Sequence, residues 1–307
     1  MNFFEILNYM LVLVILFLIG VIAHKTGITD DVADKKISTV ILMLSQSALI
    51  LYSAMSAESG MPPLELLKIL ALAFAAYGIM VVAGFLVPRI LRAPKEDRGI
   101  YNFMSIFSNV GFMGFPVIAS IYGSEAIFYA AMFSMPLNIL AYTYGVVLVS
   151  GGEEHQKIQW KSILNPPIVS SILAAFIFLF HIKFPVVIVN AADMLGGTLT
   201  PMAMLIIGGS MAELKLKDVL GDWRVYVMTA IRLFVLPVVI WAVMRNFLSD
   251  PMLLGVCTLV FAMPVAAIAT IFSIQYDGNV EVASKTVFLS TVFSVFSIPL
   301  IASTLLL

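Results

Sequence analysis

The chain has 307 residues, of which 61% are hydrophobic and 11% charged, with a mean hydropathy of +1.05 and a formal net charge of −1. So little polar surface excludes a soluble globular domain; the net charge says nothing about partners, and no Lys/Arg run suggests nucleic acid. Cys257 is the only cysteine, which excludes a disulfide frame and a thiolate metal site.

What remains is an integral membrane protein. A helix needs roughly 20 apolar residues to cross the hydrocarbon, whereas barrel strands are short and alternating. Ten long apolar segments are read here, at 4–22, 36–56, 64–88, 99–122, 124–149, 165–181, 185–212, 224–246, 251–275 and 280–306. The fold class is therefore all-α and polytopic, with ten transmembrane helices.

In chain order, segment 1 lacks a basic leader and a small-residue cleavage site, so it is read as a helix and not a signal peptide. Segment 2 carries Gln46 and Ser47. Segment 4 is interrupted by Ser108-Asn109-Val110-Gly111-Phe112-Met113-Gly114-Phe115-Pro116, and segment 5 holds Asn138 and Tyr142. A polar stretch, 151–163, then separates a first half, 1–150, from a second, 164–307. Segment 6 opens on Asn165-Pro166, a capped helix start with proline in the first turn. Segment 7 contains Asp193, read either as a coupling carboxylate inside the membrane or as part of a short interfacial helix preceding a span that starts at Leu195. Segment 8 contains Arg232, which either snorkels to the interface or pairs structurally, or else draws anions. Segment 9 is interrupted at Met263-Pro264 and ends at Gln275, and segment 10 opens with Glu281 and Lys285 at the i,i+4 spacing of a helix ion pair.

Thirteen of the seventeen Lys and Arg residues fall in odd-numbered connections, which places those connections in the cytoplasm and both termini outside. Five helices are an odd number, so the second half enters the membrane from the opposite side. Phe85-Leu86-Val87-Pro88 resembles Phe234-Val235-Leu236-Pro237, and Pro116 and Pro264 follow these at nearly the same interval. Ser134-Met135-Pro136-Leu137 is matched by Ser297-Ile298-Pro299-Leu300. An inverted repeat of five helices is the expected organisation.

Irregular backbone inside hydrocarbon survives only where protein or a water-filled cavity surrounds it. Pro116 removes a donor and clashes with the Phe112 carbonyl, while Gly111 and Gly114 loosen the same turn. The half-helix beginning near Pro116 is expected to offer unpaired N–H groups to an anion, with Pro264 doing the same from the other side. Paired interruptions of this kind point to a transporter's binding site.

The stretch 108–123, SNVGFMGFPVIASIYG, is similar to the signature of the auxin efflux carrier family, which includes bacterial malonate and malate permeases and plant PIN carriers. Further pieces resemble that family in order: GVIAHKTG at 20–27, Leu164-Asn165-Pro166-Pro167, LGGTLTPMAMLIIGG at 195–209, RLFVLP at 232–237, and Pro264 followed by Tyr276-Asp277-Gly278. The resemblance implies that broken helices 4 and 9 cross, with substrate bound beside the crossing. It also implies an elevator-type motion of segments 3–5 and 8–10 against segments 1, 2, 6 and 7, within a homodimer. One departure is that Gln46-Ser47-Ala48 stands where many members have a proline.

The functional expectation is a secondary transporter in the cell membrane for a small organic anion, an auxin-like carboxylate, malonate or malate. Ser108, Asn109, Gly111, Gly114, Pro116, Pro264, Gln46, Ser47 and Asn138 would form the substrate site, with Asp193 and Arg232 in coupling or charge roles. No enzyme signature, cofactor, metal site or phosphate-cradling loop is present in the sequence, since His24, His155 and His181 share no ligand spacing. A sodium-coupled bile-acid-type symporter and a non-transporting membrane sensor are the alternatives.

Overall fold

The computed structural model describes residues 3–56, 62–151, 166–212, 221–276 and 278–306, and these are predominantly helical. Among the described residues there is no strand, only an isolated antiparallel bridge between Ser108 and Val265. Seven helical stretches are long and apolar enough to cross a membrane: Ile6–Lys25, Val32–Met55, Pro63–Ile90, Ala126–Val149, Val186–Met211, Trp223–Met244 and Val280–Leu306. Shorter apolar helices are Val110–Tyr122, Pro166–Phe180 and Pro251–Ala262. Large apolar side chains stand on the outside, including Leu18, Leu67 and Phe176, each at least half exposed. Such a surface belongs against lipid.

The helix starts follow local chemistry. Asp30, Asp222, Asp250 and Asn279 each precede a helix, and their side chains accept first-turn N–H groups at 2.7–3.1 Å. Several long helices also contain a five-residue π turn: Ile41–Ser45, Ala141–Gly145, Ile231–Val235 and Ala302–Leu306. Three of these lie within a turn or two of Pro136, Pro237 or Pro299, where the missing N–H and the ring's bulk upset the regular ladder.

The chain divides into two compact units, each drawn from both halves of the sequence. The first comprises Met1–Ala71, Gly111–Phe133 and Leu164–Leu214. In it, α1 (Phe3–Lys25) packs backbone to backbone against the helix Leu199–Met211. A Cβ on Gly20 would overlap the Leu205 carbonyl, and one on Gly208 would overlap the Phe17 carbonyl. Small residues allow this close approach between apolar helices. The family-like pieces at 20–27 and 195–209 thus hold a helix contact. His24 Nδ1 lies 3.0 Å from Asp34 Oδ2, and that carboxylate packs on Gly209. Gly196 meets the Leu49 backbone, and Ser45 Oγ shares a 2.7 Å hydrogen bond with Thr198 Oγ1.

The second unit comprises Leu72–Val110, Ser134–Ile163 and Lys215–Leu307. Here the helix Arg98–Ile106 packs on the helix Val146–Val149, with Gly99 against the Leu148 carbonyl and Gly145 against the Phe103 ring. Tyr77 stacks at a tilt on Phe261, with ring centroids 4.8 Å apart. Asn279 Nδ2 donates to Asp97 Oδ1 at 2.8 Å, and Arg224 Nε to the Leu91 carbonyl at 3.3 Å. Glu281 and Lys285 form the expected i,i+4 ion pair.

Candidate functional site

Both interrupted segments are broken. The helix Pro251–Ala262 ends because Met263 precedes a proline: it adopts φ −64°, ψ 149°, and the next helix begins only at Ile268. In the other segment the helix Arg98–Ile106 ends at Phe107, which is extended at φ −96°, ψ 120°. The chain then passes through Ser108 and Asn109 into a π turn, Val110–Gly114, and the helix Phe115–Tyr122.

The corner lies at the start of the expected interruption, 108–116, and the helix beyond it begins at Phe115, beside Pro116. Pro116 occupies the first turn of its helix, where a missing N–H is tolerated, and the wider π turn before it absorbs the register shift. Gly111 and Gly114 lie in that π turn. The boundary between the two compact units falls between Val110 and Gly111.

Within the second unit the two extended corners meet. The Asn109 N–H donates to the Pro264 carbonyl at 2.8 Å, the Ala266 N–H donates to the Phe107 carbonyl at 3.1 Å, and Ser108 bridges Val265. Ser108 Oγ donates to the Val260 carbonyl at 2.8 Å, in the last turn of the helix Pro251–Ala262. Ser290 Oγ accepts the Val265 N–H at 3.1 Å. The expectation of bare backbone amides is therefore revised at these positions, where the broken segments satisfy one another's amides.

Arg232 is fully buried, at 0% exposure, and does not snorkel. Its Nη1 donates to the Ser105 carbonyl at 2.8 Å and its Nε to the Met263 carbonyl at 3.2 Å. Those carbonyls lie at the C-terminal ends of the helices Arg98–Ile106 and Pro251–Ala262, where each helix carries partial negative charge of up to about half an elementary unit. One guanidinium thus clasps both breaks and roughly offsets both ends. None of the ion pairs among the described residues includes Arg232.

Among the described residues, the buried donors without a partner at this crossing include Arg232 Nη2 and Asn109 Nδ2, and the Tyr77 hydroxyl beside them. Asn109 is only 4% exposed. A buried amide or guanidinium donor left unpaired costs free energy, which a bound acceptor would recover. Tyr77, Ser290 and Cys257 surround this region; Tyr77 faces Arg232 and Ser108 electrostatically. Tyr77 and Ser290 sit in apolar runs, where no local signal marks them.

The other expected residues lie elsewhere. Gln46 and Ser47 are buried in the first unit, where Gln46 Oε1 packs over Gly111, 3.1 Å from the position of a Cβ there. Ser47 Oγ has no partner. Asn138 belongs to the helix Ala126–Leu140, but its side chain lies outside the described residues. Asp193 stands exposed on the helix Val186–Gly197 in the first unit, whereas Ser108, Asn109 and Arg232 belong to the second. The linker beyond residue 151 and the Asn165 cap also lie outside the described residues; the helix there begins at Pro166.

The family described as membrane transport protein matches residues 5–302. An uncharacterized transporter of Methanothermobacter thermautotrophicus is 24% identical over 299 residues, covering 93% of this chain and 94% of the relative. The uncharacterized transporter MJ1031 of Methanocaldococcus jannaschii is 22% identical over 306 residues, covering 96% and 97%. Together with the broken segments that meet at Asn109 and Pro264, these matches identify the chain as a member of the membrane transport protein family, that of the auxin efflux carriers.

Proposed function

We propose that the protein is a secondary carrier for a small organic anion, a carboxylate of the auxin-like, malonate or malate class, bound beside the crossing of the two broken segments. The observation that carries this reading is the pair of buried, unpartnered donors, Asn109 Nδ2 and Arg232 Nη2, beside a guanidinium with no carboxylate partner among the described residues. Both are suited to carboxylate oxygens, and a charge-assisted bond from guanidinium is roughly twice as strong as a neutral one. Ser108 lies beside Asn109 at the crossing, and Pro264 keeps the backbone open there.

In this reading ten spans form two inverted repeats of five, 1–150 and 164–307, joined by a cytoplasmic linker, with both termini outside the cell membrane. Segments 3–5 and 8–10 move elevator-fashion, and segments 1, 2, 6 and 7 are the scaffold of a homodimer. The first compact unit holds segments 1, 2, 6 and 7 together with residues 111–133 of segments 4 and 5, and the second holds most of segments 3, 8, 9 and 10. Energy comes from gradients. An inside-negative potential favours anion export by about 2.3 kcal/mol per charge per 100 mV.

Flux into proteoliposomes of the purified protein tests the reading. Saturable movement of a carboxylate, independent of sodium, is expected. Binding without equilibration of the ligand would end it in favour of a sensor, and strict dependence on sodium would favour the bile-acid-type symporter.

A further inference from the structure

We infer that the second unit holds a binding site for the phosphate of an anionic phospholipid headgroup, separate from the crossing of the broken segments. A cavity of about 490 Å³ opens between the end of the helix Pro63–Ile90, the turn that follows it, the first turn of the helix Arg98–Ile106 and the helix Val146–Val149. Arg89, Lys95 and Arg98 line it, against a single acid, Glu96. None of these four belongs to an ion pair among the described residues.

The two guanidiniums are steadied without being used up. Arg89 Nη1 donates to the Phe85 carbonyl of its own helix, and Arg98 Nε to the Ala93 carbonyl at 3.4 Å, so each keeps further N–H donors. Asn102, 4% exposed, also lines the cavity. Its Oδ1 has no hydrogen-bond partner and is pressed against Gly84, whose missing side chain makes the room. That packing leaves the amide Nδ2 as the end of Asn102 free to reach the cavity. The cavity also abuts the start of a helix whose preceding residue, Asp97, gives no side-chain cap. Every polar element except Glu96 is a donor or a positive charge, which fits a phosphate.

A lipid, and not a soluble phosphate, is indicated by the rim. Phe85 and Val147 line the same cavity and are 47% and 45% exposed, and Ile90, one residue beyond Arg89, is 66% exposed. Cations above an apolar wall match a headgroup with its acyl chains running down the helix. On the orientation expected from the basic connections, this end faces the cytoplasmic leaflet.

The test measures lipid retention by the full-length protein in detergent, by native mass spectrometry, with phosphatidylglycerol and phosphatidylcholine as the probes. Wild type should retain phosphatidylglycerol preferentially. Lys95→Gln should weaken retention about fivefold, and each further exchange at Arg89 and Arg98 by about the same factor. Lys36→Gln, in the other unit, should leave retention unchanged. Gly84→Ala, which displaces the Asn102 amide, should weaken it without altering charge. Equal retention by wild type and Lys95→Gln, or equal retention of the two lipids, would overturn the site. Displacement of the lipid by millimolar glycerol phosphate would overturn the choice of a lipid over a soluble phosphate. Since carboxylate flux is not the readout, failure here leaves the carrier reading standing, and the reverse also holds.

Discussion

The Asn109 N–H donates to the Pro264 carbonyl at 2.8 Å, so the asparagine backbone ties the two broken segments while its side-chain Nδ2 stays unpartnered. In the proposed function, structure and ligand recognition are divided between two atoms of one residue. Asn109→Ala keeps the first and removes the second. We expect carboxylate flux in proteoliposomes to fall at least about tenfold, the worth of one charge-assisted hydrogen bond, while the melting temperature changes little because no protein bond is lost. Normal flux in this variant would displace the substrate from the crossing.

Arg232 combines those tasks. Arg232→Ala strips the Ser105 and Met263 carbonyls of their donor and leaves a large void, so a destabilisation of about 3–5 kcal/mol is expected. Arg232→Lys keeps the charge but not the planar fork, and should recover part of the stability and little of the transport. Thermal melts in detergent and flux, measured side by side, check both.

Adjacent glycines give a sharper comparison. A Cβ on Gly196 would sit 2.9 Å from the Leu49 Cα, while one on Gly197 meets nothing within 4 Å. Gly196→Ala should therefore destabilise by about 1–3 kcal/mol through overpacking. Gly197→Ala should be neutral or slightly stabilising, as expected for replacing a helical glycine. The shift in melting temperature distinguishes them.

Cys257 is wholly buried, and it is the chain's only cysteine. A maleimide dye should leave the folded protein unlabelled and react only as the helix Pro251–Ala262 comes apart, so the natural thiol reports its own melt. Stoichiometric labelling in the cold would mean that this helix is accessible in the native state.

The helices were legible because long apolar runs have few structural alternatives, and the break at Met263 was legible because a proline excludes helix from the residue before it. At the other break the helix beyond it does begin beside Pro116, at Phe115, but the corner itself forms at Phe107 and Ser108 through pairing with residues far along the chain. Arg232 lies two turns from Arg224, so a snorkelling path looked natural. Only the meeting of two helix ends beside it makes full burial the lower-energy choice. His24 and Asp34 were not linked in the sequence because their contact depends on the turn between two helices and on the space left by Gly209.

The lone guanidinium also bears on how voltage acts during a transport cycle. If Arg232 travels with the crossing, the vacant site carries one positive charge, a monoanion neutralises it, and a dianion reverses its sign. The membrane field would then bear on the return of the vacant form for monovalent cargo, and on both limbs, with opposite sign, for divalent cargo. Currents recorded with malonate and with a monocarboxylate at the same membrane potential would differ in kind and not merely in size.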